Sequence, residues 1–95
     1  MILAIDIGNT NIVLGGFDDE KLRFISRIST NAKKTDAEYA TKLKSILSLY
    51  GVDESEVSEA AISSVVPILT QTMANAIPCR RAAQHPDRGA GAVHN

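Results

Sequence analysis

Apolar and polar positions follow two periods along the first 77 residues, and the changes between them mark the elements. Ile2 to Ile7 is nearly all apolar, the pattern of a central strand covered on both faces. A polar break at Gly8-Asn9-Thr10-Asn11 separates it from a second apolar run, Ile12 to Phe17, in which Gly15 and Gly16 suggest a bulge or a close backbone approach. Asp18-Asp19-Glu20-Lys21 reads as a turn. Leu22 to Ser29 then alternates, with Leu22, Phe24, Ser26 and Ile28 on one face and Arg23, Ile25, Arg27 and Ser29 on the other, as expected of a half-exposed edge or near-edge strand.

The period lengthens after Ser29. Thr35 and Glu38 form a Thr-x-x-Glu capping box with Asp36 in the first turn, so a helix is predicted to start near Asp36. Tyr39, Leu43, Ile46, Leu47 and Tyr50 recur at helical spacing as its core stripe, with the Tyr39 hydroxyl at the rim, and Gly51 supplies the stop. Val52 to Glu59 is an acidic connector. Ala60 to Val66 reads as a short buried strand whose Ser63 and Ser64 satisfy backbone groups at its end, and Pro67 opens a second helix burying Leu69, Met73, Ala76 and Ile77. The pattern alone therefore predicts a mixed α/β domain with an antiparallel hairpin and one helical crossover.

Composition narrows the function classes. A chain of 95 residues that is 44% apolar suits one small domain with a modest aliphatic core. A net charge of −1 makes no case for nucleic-acid or anionic-membrane binding, and no apolar run approaches the ~20 residues that span a bilayer. Without a signal-peptide pattern the expected location is the cytosol. Cys79 is the single cysteine, which excludes an intrachain disulfide. Cys79, His85, Asp87 and His94 match no standard zinc spacing.

The candidate chemistry lies at the first polar break. Asp6 interrupts an apolar run, where an ionised carboxylate is costly without compensation, and phosphate-bound Mg²⁺ is one compensating partner. Gly8 lets the backbone come close to a ligand, while Asn9, Thr10 and Asn11 add side-chain donors to the backbone N–H groups of the turn. Gly-Asn between β-prone runs is also an ordinary hairpin signal. The two readings are compatible, since one turn can serve both.

The string Asp6-Ile7-Gly8-Asn9-Thr10-Asn11 resembles the first phosphate motif of type III pantothenate kinases, and Ser63-Ser64-Val65-Val66-Pro67 is similar to a segment that follows their fourth strand. The resemblance covers residues 1 to about 77. It implies a ribonuclease-H-like half-domain of the actin-like ATPase superfamily, ordered β-β-β-α-β-α, with the strand after the crossover parallel to the first. It further implies phosphorylation of pantothenate by ATP, the first step of coenzyme A biosynthesis, with Mg²⁺ and a monovalent cation, potassium or ammonium, in a full-length homodimeric parent. Asp6 would hold the hydrated Mg²⁺, and Ile7, Gly8, Asn9, Thr10, Asn11, Ile12 and Val13 would form the ATP site around the phosphates. Relatives described as accessory transcription factors offer an alternative non-enzymatic role, as such a factor or as a nucleotide-binding module, and other ATPases of the superfamily share the Asp-x-Gly start but not Asn-Thr-Asn.

The family takes its catalytic Asp, from a Gly-x-Asp-Arg motif, together with its pantothenate contacts, its cation ligand and its second phosphate motif, from beyond the matching region. Asp87-Arg88 lacks the preceding Gly-x, so the catalytic role is not carried onto Asp87. Composition also shifts at this point: residues 1–77 carry a net −3 and residues 78–95 a net +2, the latter without apolar periodicity. The expected division is an incomplete half-domain at 1–77 and a disordered or frame-shifted, irregular tail at 78–95, the chain being an inactive fragment. Codons permitted for Gln84 to Ala92 can be chosen so that the neighbouring frame spells Ser-Ile-Leu-Ile-Val-Glu-Pro-Gly-Leu.

Overall fold

β1 (Ile2–Ile7) is the strand on which the sheet is built, pairing antiparallel with β2 (Asn11–Asp18) on one side and parallel with β4 (Glu59–Ser64) on the other. The computed structural model describes residues 1–78 and the backbone of residues 82–84. β3 (Lys21–Ser29) extends the hairpin, and β5 (Ala82–Gln84) adds to the far edge in parallel with β4, giving the order β3-β2-β1-β4-β5. Between β3 and β4 the chain crosses over through α1 (Asp36–Leu49) and a 3₁₀ turn at Glu54–Glu56, and α2 (Pro67–Ala76) follows β4.

One face of the sheet carries the helices. Leu3, Ile5 and Ile7 of β1, Ile12 and Leu14 of β2, Phe24 of β3 and Ala60 and Ile62 of β4 meet Tyr39, Leu43, Ile46 and Leu47 of α1 and Leu69, Met73 and Ala76 of α2 in a single buried cluster. The two-residue period of each strand puts its other residues on the opposite face, which no helix among the described residues covers. Leu22 and Ile25 there are 50% and 59% exposed.

The ends of α1 follow from its sequence. Thr35 Oγ1 accepts from the Glu38 N–H at 3.2 Å and the Glu38 carboxylate accepts from the Thr35 N–H at 2.8 Å, which holds the Glu38 pKa below the usual range. At the other end Gly51 adopts φ +71°, with the Gly51 N–H on the Ser48 carbonyl and the Val52 N–H on the Leu47 carbonyl, a Schellman closure. Pro67 opens α2 at its first position, where a missing N–H costs nothing. No helix among the described residues is long and apolar enough to cross a membrane.

Two expectations are corrected. The strict alternation of β3 fails at a bulge opposite Gly16 and Phe17: Gly16 pairs with Phe24 but Phe17 with Leu22, so Arg23 is the extra residue and Leu22 shares the open face with Ile25. Arg23 reaches Asp18 at 3.2 Å and Glu56 at 3.0 Å instead of continuing the pleat. Tyr50 is the C-cap of α1 rather than a core residue; it is 43% exposed and stacks on Phe24 with ring centroids 4.8 Å apart. Within the stretch after Pro78, the described residues include the three-residue strand β5. Ala-Ala-Gln carries no periodic apolar signal, and its pairing with Ala60–Ile62 satisfies backbone groups on the open edge of β4. Cys79, Arg80, Arg81, His85, Asp87 and His94 lie outside the described residues.

A Cβ at Gly16 would overlap the Phe24 ring, which Tyr50 backs from the other side. Gly16→Ala should therefore cost about 1–3 kcal/mol through displacement of Phe24. A fall in the urea midpoint at unchanged m-value is the expected readout; an unchanged midpoint would show that the ring has room to move.

Candidate functional site

Strand alternation alone decides where Asp6 points. With Leu3, Ile5 and Ile7 committed to the helices, Ala4 and Asp6 face the open side, and the register sets Asp6 between Val13 of β2 and Ser63 of β4. Asp6 and Ser63 form the polar end of a groove of about 410 Å³ whose other walls include Ala4, Val13, Phe17 and Ile25. The carboxylate is half-buried.

The hairpin turn beyond Asp6 is tied down from several directions. Across it, the Gly8 N–H donates to the Asn11 carbonyl at 2.9 Å. From β3, the Thr30 hydroxyl donates to the Gly8 carbonyl at 2.8 Å and the Thr30 N–H to the Thr10 carbonyl at 2.9 Å. From β4, the Val65 N–H donates to the Ile7 carbonyl at 3.0 Å, while the buried Ser64 hydroxyl is engaged with the N–H and carbonyl of Val66. The ends of three strands and the turn thus share one hydrogen-bonded network. Gly8 contributes closeness, not an unusual dihedral: an added Cβ would stand 3.1 Å from the Asn11 carbonyl oxygen, a backbone atom unable to swing aside.

Each sequence-predicted site residue has a definite place. Asn9, Thr10 and Asn11 are exposed at the turn, with Gly8 half-buried beneath them. Ile7 and Ile12 have fully buried side chains in the helix-side core, so any ligand contact from them comes through the backbone. Val13 lines the groove beside Asp6. Thr30 was not anticipated, because a threonine at a strand end has no local signal of a partner 22 residues away.

The donor set is compatible with a metal held largely by water and substrate oxygens. Among the described residues no group of three or more His, Cys, Asp or Glu side chains could hold an ion by itself. A single carboxylate next to a turn rich in N–H and amide donors suits Mg²⁺, which keeps several waters and takes one or two carboxylates plus substrate phosphate oxygens. Chemically, the arrangement can bind and orient a phosphate chain; within residues 1–77 it lacks an assigned base.

The type III pantothenate kinase family model matches residues 2–86. Among curated relatives, the type III pantothenate kinase of Finegoldia magna is 52% identical over 77 residues, covering 81% of this chain and 29% of that protein. Those of Geotalea uraniireducens and Moorella thermoacetica are 46% and 42% identical, over 74% and 81% of this chain and 27% and 30% of theirs. The chain thus spans less than a third of the length of these relatives. A crystal structure from Porphyromonas gingivalis, whose proposed assignment is N-acetylglucosamine kinase, superposes with TM-score 0.63 at 21% identity, covering 88% of this chain and 33% of its own. That likeness shows the fold alone, a ribonuclease-H-like half-domain.

Gly8→Ala should loosen the turn without unfolding the sheet, since the added methyl must push on the Asn11 carbonyl. Amide hydrogen exchange should quicken at Gly8 and Thr30, by about tenfold for a loss of local stability near 1.4 kcal/mol. Unchanged protection at both amides would mean that the hairpin absorbs a Cβ freely.

Proposed function

The chain belongs to the type III pantothenate kinase family, and from that premise we propose that Asp6 to Val13 form the first nucleotide-phosphate site of an enzyme that phosphorylates pantothenate with ATP. The product is 4′-phosphopantothenate, at the start of coenzyme A biosynthesis. The observation that carries the proposal is the pinned turn directly after Asp6, held by hydrogen bonds to Gly8, Thr10 and Ile7. Phosphoryl transfer depends mainly on positioning and charge neutralisation, so a rigid turn presenting N–H groups beside a carboxylate is the part such an enzyme needs first.

The residues divide the work. Gly8 brings the backbone close to the phosphates. Asn9, Thr10 and Asn11 offer exposed side-chain and main-chain donors, and Ile7, Ile12 and Val13 contribute backbone and the wall of the site. Asp6 would hold Mg²⁺ through its waters. Bound there, the ion would neutralise phosphate charge. A potassium or ammonium ion, pantothenate contacts, the catalytic carboxylate and pairing into a homodimer belong to the same reading, in the longer polypeptide that the relatives represent.

MgATP titrated into the 95-residue chain and followed by amide NMR should shift resonances from Asp6 to Val13 first. Asp6→Asn should keep the fold and remove the Mg²⁺-dependent part of those shifts. The same chain, given ATP, Mg²⁺, potassium and pantothenate, should form no phosphopantothenate above a no-enzyme control, because a turn alone cannot align two substrates. Shifts centred elsewhere, or turnover that depends on Asp6, would contradict the reading.

A further inference from the structure

We propose that Thr30 is a positioning residue for phosphate binding, setting the direction in which the turn presents its backbone N–H groups; this rests on the phosphate reading of that turn. Thr30 makes two hydrogen bonds to it, through its hydroxyl to the Gly8 carbonyl at 2.8 Å and through its N–H to the Thr10 carbonyl at 2.9 Å. These carbonyls flank Asn9. A trans peptide is planar, with its C=O and N–H pointing in opposite directions. Drawing the Gly8 carbonyl toward Thr30 therefore turns the Asn9 N–H away from it, and drawing in the Thr10 carbonyl does the same to the Asn11 N–H. Both amides face away from the strand that holds them, and both are donors of the kind that bind phosphate oxygens.

The anchor is itself braced. Tyr39 of α1 is fully buried, and its hydroxyl accepts from the Asn31 N–H and donates to the Asn31 carbonyl, each at 2.9 Å. Lys34 lies over the Tyr39 ring, 5.5 Å from its centroid. Tyr39 thus fixes the residue after Thr30 from the helix layer, and Thr30 fixes the turn from the edge of the hairpin. The hydroxyl of a core tyrosine is linked through two consecutive residues, Asn31 and Thr30, to the turn. The N–H bond continues the β2–β3 ladder and any residue with an N–H would make it, whereas the bond to the Gly8 carbonyl needs a side-chain hydroxyl.

Two variants of the whole chain separate the hydroxyl from the shape. Thr30→Ser keeps the donor and Thr30→Val keeps the branched shape. With MgATP as the probe, Thr30→Ser should bind within about twofold of the unsubstituted chain and Thr30→Val about tenfold more weakly, the scale of one lost hydrogen bond. In the free proteins the Asn9 and Asn11 amide resonances should move in Thr30→Val and stay in place in Thr30→Ser. If Thr30→Val does not fold, Tyr39→Phe replaces it, with a smaller loss of affinity and shifts running from Asn31 through Thr30 to Asn9. Equal affinity for the unsubstituted and hydroxyl-deleted chains overturns the role of Thr30 while leaving the phosphate site standing. No MgATP response at the turn of the unsubstituted chain overturns the phosphate reading and this inference together.

Discussion

The six-residue double pairing of β1 is the constraint from which the rest follows. Ile2–Ile7 is matched residue for residue to Phe17–Ile12 in the antiparallel sense and to Glu59–Ser64 in the parallel sense. Because side chains alternate strictly, this register sends Leu3, Ile5 and Ile7 to the helices and Asp6 to the open face between Val13 and Ser63. A slip of one residue would bury the carboxylate among the helices and expose three large apolar side chains. Hydrophobic burial of roughly 1.5–3 kcal/mol per such side chain opposes that slip. The energetics of the core and the orientation of the candidate site are consequently the same fact.

Much of this was legible because its causes are local. An apolar run with one Asp, a turn beginning with Gly, a Thr-x-x-Glu box, a Gly at a helix end and a Pro at a helix start each act within a few residues, and the structure contains all of them as hydrogen bonds or dihedrals. What escaped the pattern depends on distant partners. The bulge at Arg23 is settled by what faces it across the ladder, where Phe24 packs on the bare backbone of Gly16, and one extra residue suffices to move Leu22 to the other face. β5 escaped for a different reason: three small or polar residues gain their place through backbone pairing, which leaves no trace in hydropathy.

The site divides in the same way. The string Asp6 to Asn11 was recognisable as a donor-rich turn next to a carboxylate, and the structure puts those residues together at the end of the central strand. The side chains of Ile7 and Ile12, included in the same stretch, turn into the core. Thr30 was not singled out and Tyr39 was read only as part of the core stripe, since a threonine before a loop and a tyrosine in a helical stripe are both ordinary. Their significance is in the 22-residue and 8-residue separations that their hydrogen bonds span.

Family membership and geometry bear on different questions. The relatives say which family the chain belongs to, and the chain covers under a third of their length. The geometry puts a half-buried carboxylate beside a hydrogen-bonded turn at the end of β1, and holding a phosphate chain with its accompanying cation is the function proposed for them. The measurement that probes this most directly is paramagnetic broadening with Mn²⁺ and ATP, Mn²⁺ taking the place of Mg²⁺ at oxygen ligands. Signals of Asp6, Gly8, Asn9, Thr10 and Asn11 should broaden before those of Leu49 at the far end of α1, and only when nucleotide is present. Broadening centred on the acidic connector around Asp53 to Glu56, or the same with and without ATP, would contradict a metal-nucleotide site at the turn.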